Sequence, residues 1–273
     1  CGLTSLLPSL WMRKPVMIAW STPGAVVLAT AAAGGQFHIA DAVGAFVVSS
    51  LLITLSGVSG WFERIMHRIP LAVAAALLAG VLARFSMQAF SAAGTEPGLV
   101  VAMLLVYLAG KRFSPRYAVV WTLLTGVLYA AMRGMLDWSA VRIGLAQPLF
   151  TYPQFSLQAV TSLALPLFIV TMASQNLPGV AAVRAAGYDL PISPLITMTG
   201  FASLILAPLG GYALNLSAIT AAICMGPEAH PDPARRYMAA VVWGGWMLLI
   251  GGFGVAVTGM LVAFPVQLVQ AIA

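Results

Sequence analysis

Two interruptions in long apolar stretches hold the residues best suited to bind a ligand. The first contains Trp20, Ser21 and Thr22, followed by Pro23 and Gly24 and then by apolar helix-forming residues. Proline lacks a backbone N–H and suits the first turn of a helix, where a Ser or Thr side chain can cap the free N–H groups. We therefore predict an extended segment that leads into a short helix, capped by Ser21 or Thr22.

The second interruption repeats this order of residue types. A Pro-Leu-Gly-Gly run precedes Tyr212, and the run Asn215, Leu216 and Ser217 then leads into another apolar stretch. The pattern again predicts an extended segment followed by a short helix, with Asn215 or Ser217 as the cap.

The chemistry of such helix starts favours an anion. The first N–H groups of a helix have no intrahelical partner, and the helix dipole is positive at this end. Two such ends would bind an anion without a buried Arg or Lys, which is costly inside a membrane. Trp20 and Tyr212 flank the two starts and could stack on a benzene ring, although packing or lipid contact explains these aromatic residues equally well. Helices that are merely kinked at proline are the alternative to a binding site.

Other polar residues have competing interpretations. Gln175 and Asn176 lie at the predicted end of an apolar helix, where amides either join helices or line a pocket. Glu228 and His230 could form an acid–base pair, but the surrounding prolines predict a solvated turn instead. Cysteines and histidines do not fall at metal-ligand or disulfide spacing. We predict no catalytic residue, no metal site and no cofactor.

The composition identifies the environment in which these residues must act. Hydrophobic residues make up 61% of the chain and charged residues 7%, with a mean hydropathy of +0.97. Soluble domains carry roughly 25% charged residues. The chain is therefore predicted to be a polytopic α-helical protein in a lipid bilayer. Its net charge of +6 is spread over short loops, which argues against nucleic-acid binding.

The pattern of apolar stretches predicts one transmembrane domain over residues 1–273, with about 10–11 segments. Most Lys and Arg residues fall on the side of Arg13 and Lys14, which we assign to the cytoplasm. The two interrupted segments then run in opposite directions, as in an inverted repeat. Because the chain starts and stops within apolar stretches, we also expect a fragment. The predicted segments are 1–11, 15–33, 41–61, 70–90, 98–110, 117–133, 156–175, 192–206, 208–225, 236–257 and one that begins near 258.

Three motifs carry a resemblance to a known family. Pro15 to Gly24 (PVMIAWSTPG), Thr171 to Gly187 (TMASQNLPGVAAVRAAG) and Ala218 to Tyr237 (AITAAICMGPEAHPDPARRY) resemble the bacterial benzoate/proton symporter family. The resemblance implies the seven-plus-seven inverted-repeat fold of nucleobase and sulfate-type anion transporters, incomplete here at both ends. In that fold two broken segments each consist of a strand plus a half-helix. A core domain carries the substrate against a gate domain, often within a homodimer.

The resemblance also implies a function. The chain would be a multi-pass protein of the bacterial inner membrane, and it would carry benzoate or a similar aromatic carboxylate together with protons. No Asp or Glu lies within a predicted span except Asp41 at the very end of one, so Asp41, Glu228, His230 or the substrate's own carboxylate could carry the proton. Transport of another anion or a nucleobase, a channel, an intramembrane enzyme and a structural subunit are the alternatives. The proposed substrate-binding residues are Trp20, Ser21, Thr22, Gly24, Gln175, Asn176, Tyr212, Asn215, Leu216 and Ser217.

Overall fold

The computed structural model of the chain is mostly helical. Three helices within its described part are long and apolar enough to cross a membrane, namely Ile39–Val58, Leu157–Ala185 and Ile192–Leu209. A fourth span results if Pro233–Gly252 and Gly254–Ala263 count as one broken segment. The described residues are 1–22, 24–25, 27–28, 38–68, 93–142, 144–265 and 268, with isolated positions 72, 76, 79, 80, 83 and 87.

The chain divides into two compact units. Unit 1 comprises Cys1–Leu78 and Gln147–Leu248, and unit 2 comprises Ala79–Ala146 and Leu249–Ala273. The elements in chain order are α1 (Gly2–Met12), β1 (Ile18–Trp20), α2 (Ile39–Val58), α3 (Trp61–Arg68), α4 (Pro97–Phe113), α5 (Ala118–Met132), α6 (Leu157–Ala185), α7 (Ile192–Leu206), β2 (Leu214–Leu216), α8 (Ile219–Cys224), α9 (Tyr237–Gly252) and α10 (Gly254–Ala263).

Most predicted segments coincide with an element, but two boundaries were wrong. Helix α6 continues to Ala185, ten residues beyond the predicted end at 175. The segment predicted over 236–257 is broken at Phe253, where α9 gives way to α10. The segment predicted over 70–90 lies largely outside the described residues.

Helix α6 accommodates its two prolines because the turn before each one is widened. The five residues before Leu165 and the five before Leu177 form π-helical turns, and a proline follows each leucine. The N–H of Leu165 donates to the carbonyl of Val160, five residues back, and the N–H of Leu177 donates likewise to Met172. Proline cannot donate and crowds the preceding turn. The wider turn accommodates that crowding, so the Leu-Pro pair does not end the helix.

A short antiparallel ribbon lies at the centre of unit 1. Strand β1 pairs with β2 in the register Ile18 with Leu216, Ala19 with Asn215 and Trp20 with Leu214. The two interrupted segments of the sequence are thus joined by their extended parts. Ile18 and Leu216 pack into the largest buried apolar cluster of the unit.

Side chains from flanking helices close the outer edges of this ribbon. Ser5 and Ser9, one turn apart on α1, accept the N–H groups of Ile18 and Val16 at 2.9 and 3.0 Å. On the other edge, Ser203 of α7 accepts the N–H of Leu214 at 2.8 Å. An isolated ribbon inside a membrane has no water for its edge groups, so these hydroxyls substitute for the missing strands.

Removing an edge hydroxyl should therefore destabilise the protein. We expect Ser5→Ala to lower the melting temperature, because the buried N–H of Ile18 would lose its acceptor at a cost of about 1–3 kcal/mol. Ser49→Ala and Ser50→Ala are matched controls, since their hydroxyls are buried and find no hydrogen-bond partner in the described part of the chain. Those two variants should melt at or above the wild-type temperature. Equal melting temperatures for Ser5→Ala and the controls would contradict this role of the edge hydroxyl.

Helices α2 and α7 cross at two glycines. A Cβ at Gly57 would lie 2.5 Å from the backbone nitrogen of Thr197, and one at Gly200 would lie 2.6 Å from that of Thr54. The two contacts mirror each other, and small residues of this kind let membrane helices approach closely.

Unit 2 contains a helical hairpin of its own. Helices α4 and α5 pack around Leu99, Met103 and Ala130 together with Leu268. The loop after α5 is held by Asp137, whose backbone N–H donates to the carbonyl of Ala263 at 3.1 Å. The hydroxyl and backbone N–H of Ser139 lower the pKa of the exposed Asp137 carboxyl.

Candidate functional site

The candidate site is built where each ribbon strand turns into a helix. Ser21 follows β1, is fully buried, and accepts the N–H of Gly24 on its hydroxyl at 3.1 Å. The backbone carbonyl of Ser21 accepts the N–H of Ala25 at 3.0 Å. Ser21 is thus the helix cap, as predicted, and Thr22, Gly24, Ala25, Val27 and Leu28 are helical. Pro23 lies outside the described residues.

The Ser21 cap is tied to α6. The hydroxyl of Thr171 donates to the Ser21 hydroxyl at 3.0 Å, and both residues are fully buried. A Cβ on Gly24 would lie 2.6 Å from a methyl carbon of Leu167, one turn before Thr171. Helix α6 therefore fixes the direction in which the first short helix leaves the ribbon.

Ser217 occupies the corresponding position after β2. Its backbone N–H donates to the carbonyl of Met17 at 2.9 Å, just as the N–H of Ser21 donates to the carbonyl of Ala213 at 3.0 Å. Each strand is thus followed by a buried serine and then by a short helix. The two helix starts lie at opposite ends of the same ribbon.

The predicted cap of the second short helix was wrong. Asn215 lies within β2, and α8 begins after Ala218 without a side-chain cap. The Ser217 hydroxyl instead accepts from the hydroxyl of Thr220. Strand pairing decides this difference, because it holds Asn215 three positions too early to reach the first turn of the helix.

Some backbone N–H groups at the end of β2 and just after it are hydrogen-bonded to the protein, and others are not. Those of Leu216 and Ser217, predicted as ligand donors, already donate to Asn176 Oδ1 and to the carbonyl of Met17. Within the part of the chain that the structure describes, the N–H groups from Ala218 to Ala221 donate to no protein group. The free donors therefore lie one to four residues later than the sequence indicated.

The two amides of the second π-helical turn have different roles. Asn176 is fully buried, and its Oδ1 accepts the N–H of Leu216 at 2.8 Å while its Nδ2 donates to the sulfur of Met172 at 3.1 Å. It closes the outer edge of β2. This contact fits the interpretation of Asn176 as an amide that joins segments of the fold. Gln175 is half-buried, and its Oε1 accepts from Nδ2 of Asn215 at 3.3 Å. Gln175 remains a candidate for ligand contact.

The two aromatic candidates also differ. Trp20 is 48% exposed at the end of β1, so its ring is free to meet a ligand or lipid. Tyr212 is half-buried, and its ring centre lies 5.8 Å from that of Phe46. Packing within unit 1 therefore accounts for Tyr212.

The acidic residues nearest the spans serve helix ends. Asp41 accepts the backbone N–H of His38 at 3.1 Å and closes the capping box at the start of α2. Glu63 accepts the N–H of Ser193 at 3.0 Å, at the start of α7. Negative charge is favourable at such positions. Neither carboxylate is among the residues that surround the ribbon.

The polar loop after α8 forms a folded turn. Arg236 donates to the carbonyls of Met225 and His230, each at 2.8 Å, and so holds the C-terminal end of α8. Nδ1 of His230 accepts the N–H of Asp232 at 3.0 Å. These bonds support the prediction of a structural turn over an acid–base pair, and the arginine clamp fixes the far end of the short helix.

The sequence reasoning missed several residues that build the site. A faint signal existed for Ser5 and Ser9, which are polar and one turn apart on an apolar helix. Thr171 and Gly179 carried no such signal, because their contacts lie far away along the chain. A Cβ on Gly179 would lie 2.7 Å from Cβ of Leu216.

Comparisons with known proteins show the family of the chain. A family model described as benzoate membrane transport protein matches residues 1–273. Inner membrane protein YdcO of Escherichia coli (strain K12) is 47% identical over 272 residues, which cover 100% of this chain and 69% of that protein. The benzoate membrane transport protein of Acinetobacter baylyi (strain ATCC 33305 / BD413 / ADP1) is 35% identical over 272 residues, covering 100% of this chain and 68% of that relative.

Proposed function

This chain belongs to the benzoate membrane transport protein family, and from that membership we propose that it is a secondary active transporter for benzoate or a similar aromatic carboxylate. It is a membrane transport protein and not an enzyme. It is located in the bacterial inner membrane, in agreement with the names of its relatives. We further propose that substrate uptake is coupled to protons.

One observation carries the position of the binding site. The two helix starts lie at the ends of one buried ribbon, each next to a buried serine. Among the described residues, the N–H group of Thr22 at the first start and those from Ala218 to Ala221 at the second donate to no protein group. The substrate carboxyl group would bind near these donors, with its ring against apolar side chains or Trp20.

The same ribbon supports the proposed inverted-repeat fold. In each half, the helix before the strand supplies a serine that accepts the strand's N–H, Ser5 for Ile18 and Ser203 for Leu214. The two broken segments also pair antiparallel, as opposite directions through the membrane require. We propose that unit 1, which contains both broken segments, is the core domain and unit 2 the gate domain. A homodimer, as in the fold that the sequence resembles, would be visible in the mass of the detergent-solubilised protein.

Uptake of labelled benzoate into proteoliposomes tests the proposed function directly. With an imposed pH gradient, acid outside, we expect accumulation that a protonophore abolishes. Unlabelled benzoate should compete, whereas uracil and sulfate should not. Competition by uracil or sulfate alone would reassign the substrate to a nucleobase or an inorganic anion. Passage without accumulation would indicate a channel.

A bulky residue at the first helix start should block uptake. Thr22 is exposed beside the cap, so Thr22→Trp should fold normally and fill the space next to the free N–H group. We expect at least a tenfold loss of uptake at unchanged amounts in the membrane. Thr161→Trp, at an exposed position on α6, is the matched control and should transport normally. A bulky residue at Asn215 should also abolish uptake. Unchanged uptake in both the Thr22 and Asn215 variants would show that the substrate does not bind at these residues.

A further inference from the structure

A buried acceptor in the ribbon bears on the form in which the substrate binds. We propose that the site takes its aromatic acid in the protonated form, with the hydroxyl of the acid donating to Oδ1 of Asn215. The proton would then travel on the substrate itself rather than on an acidic side chain. This inference rests on the proposed function, because it concerns the same site.

The side-chain oxygen of Asn215 is a buried hydrogen-bond acceptor to which no described group donates. The residue is fully buried, and its Oδ1 has no hydrogen-bond partner among the residues that the structure describes. Its Nδ2 faces two acceptors, Oε1 of Gln175 at 3.3 Å and the carbonyl of Leu216 at 3.4 Å. The backbone carbonyl of Leu216 sets the orientation of the Asn215 amide, since a flipped amide would place Oδ1 against that oxygen, and the Gln175 amide can turn to match either orientation. A buried acceptor without a donor is costly, so a ligand that brings one is favoured at this atom.

The Asn215 side chain shares a face of the ribbon with a half-buried residue. Ala19 is directly opposite in the partner strand, so both side chains point to the same face. Ile18 and Leu216, one residue away, point to the other face and into the apolar core. Ala19 and Gln175 are both half-buried, whereas Ile18 and Leu216 are fully buried. The free acceptor therefore borders the side from which a ligand can approach.

The hydrogen-bonding pattern of Asn215 separates an acid from its anion. A carboxylate has only acceptor oxygens and would face Oδ1 with like partial charge. A carboxylic acid has one O–H donor for Oδ1, and its carbonyl oxygen can accept from a neighbouring donor such as Nε2 of Gln175. The neutral form is also cheaper to transfer into the membrane interior.

The elements that pack against Asn215 offer little else to hold a proton. Among their described residues, β1, α7 and the second π-helical turn of α6 contain no Asp, Glu, His, Lys or Arg. The neighbouring segments carry titratable groups at Tyr212 before β2, at Cys224 in the last turn of α8 and at Arg184 in the last turn of α6. Asp41 and Glu63 are already bonded to helix starts.

The proposed cycle balances in charge. Outside, a carboxylate and one proton combine, and the neutral acid binds. Inside, the acid leaves the site and releases its proton to water. One proton moves with each substrate, and no net charge crosses the membrane.

Ligand competition on the purified protein tests this inference without altering the fold. Labelled benzoate is bound in detergent or nanodiscs and displaced by benzamide or benzenesulfonate. Benzamide is neutral and offers one acceptor and an N–H donor, whereas benzenesulfonate stays an anion and offers only acceptors. We expect displacement by benzamide and not by benzenesulfonate. The apparent Kd for benzoate should rise about tenfold per pH unit above the pKa of the acid.

The outcomes separate this inference from the proposed function. If benzoate binds equally well across that pH range and benzenesulfonate displaces it while benzamide does not, the anion alone is bound. The inference then fails, and the benzoate transporter stands. If benzoate does not bind at any pH, both fail together. Uptake driven by a pH gradient and unchanged by an imposed membrane potential would support the neutral cycle, and a strong response to the potential would overturn it.

Discussion

Replacing Gly179 with leucine is expected to abolish benzoate uptake. A Cβ at this position would lie 2.7 Å from Cβ of Leu216 and 2.9 Å from its carbonyl oxygen, closer than real atoms approach. Strand β2 would have to move, and with it the hydrogen bond between Asn176 and the N–H of Leu216 and the position of Asn215. Overpacking of this kind typically costs about 1–3 kcal/mol. At this site it would also displace the proposed ligand contacts.

Two readouts make this prediction specific to the ribbon. Uptake of labelled benzoate and melting temperature are measured for Gly179→Ala and Gly179→Leu, with expression in the membrane as the reference. Uptake should fall in the alanine variant and vanish in the leucine variant. Gly245→Leu on α9 is the matched control, because no described atom outside the local helix backbone lies within 4 Å of a Cβ there. Wild-type transport by Gly179→Leu would show that the close contact between Gly179 and Leu216 does not position the site.

Replacing Gly200 with leucine is expected to prevent folding altogether. A Cβ on Gly200 would lie 2.6 Å from the backbone nitrogen of Thr54 and 2.9 Å from its Cα. Backbone atoms cannot rotate away as a side chain can, so helices α2 and α7 would have to separate. These two helices form the most extensive helix pair of unit 1, and α7 also supplies Ser203 to the ribbon edge.

Size-exclusion chromatography of the detergent extract measures the effect. Gly200→Leu should give little or no monodisperse protein, and Gly57→Leu should behave alike because its contact with Thr197 is the mirror image. Thr54→Ala should not rescue Gly200→Leu, since the clash involves the Thr54 backbone. Gly245→Leu should elute as the wild type. Rescue by Thr54→Ala would mean that side-chain crowding, and not backbone approach, limits this crossing.

Sequence periodicity and composition determined the class of the protein and the position of most helices. The spans are recognisable because a bilayer requires about 20 apolar residues per helix, wherever the helix packs. The two interruptions were equally clear, because proline and glycine constrain their own backbone and the cap beside them. Ser21 as a cap followed from this local logic and is confirmed.

The same local logic failed where distant contacts compete with it. The sequence predicted a helix end at 175, but the π-helical turn before the Leu-Pro pair at 177–178 accommodates the proline, and the helix continues to Ala185. Asn215 has the composition of a cap, but pairing with Ala19 holds it in a strand. For Asn215, the deciding contact is with a residue far away along the chain.

Only the tertiary structure assigned partners to the polar groups around the ribbon. The bonds from Thr171 to Ser21 and from Leu216 to Asn176 join residues 150 and 40 positions apart. A helix or a cap follows from forces between neighbours along the chain, so sequence pattern reveals it. A hydrogen bond between segments depends on how closely whole helices approach, and that distance is decided by packing at residues such as Gly179. That Oδ1 of Asn215 lacks a donor among the described residues could be recognised only after the partners of the surrounding polar groups were known.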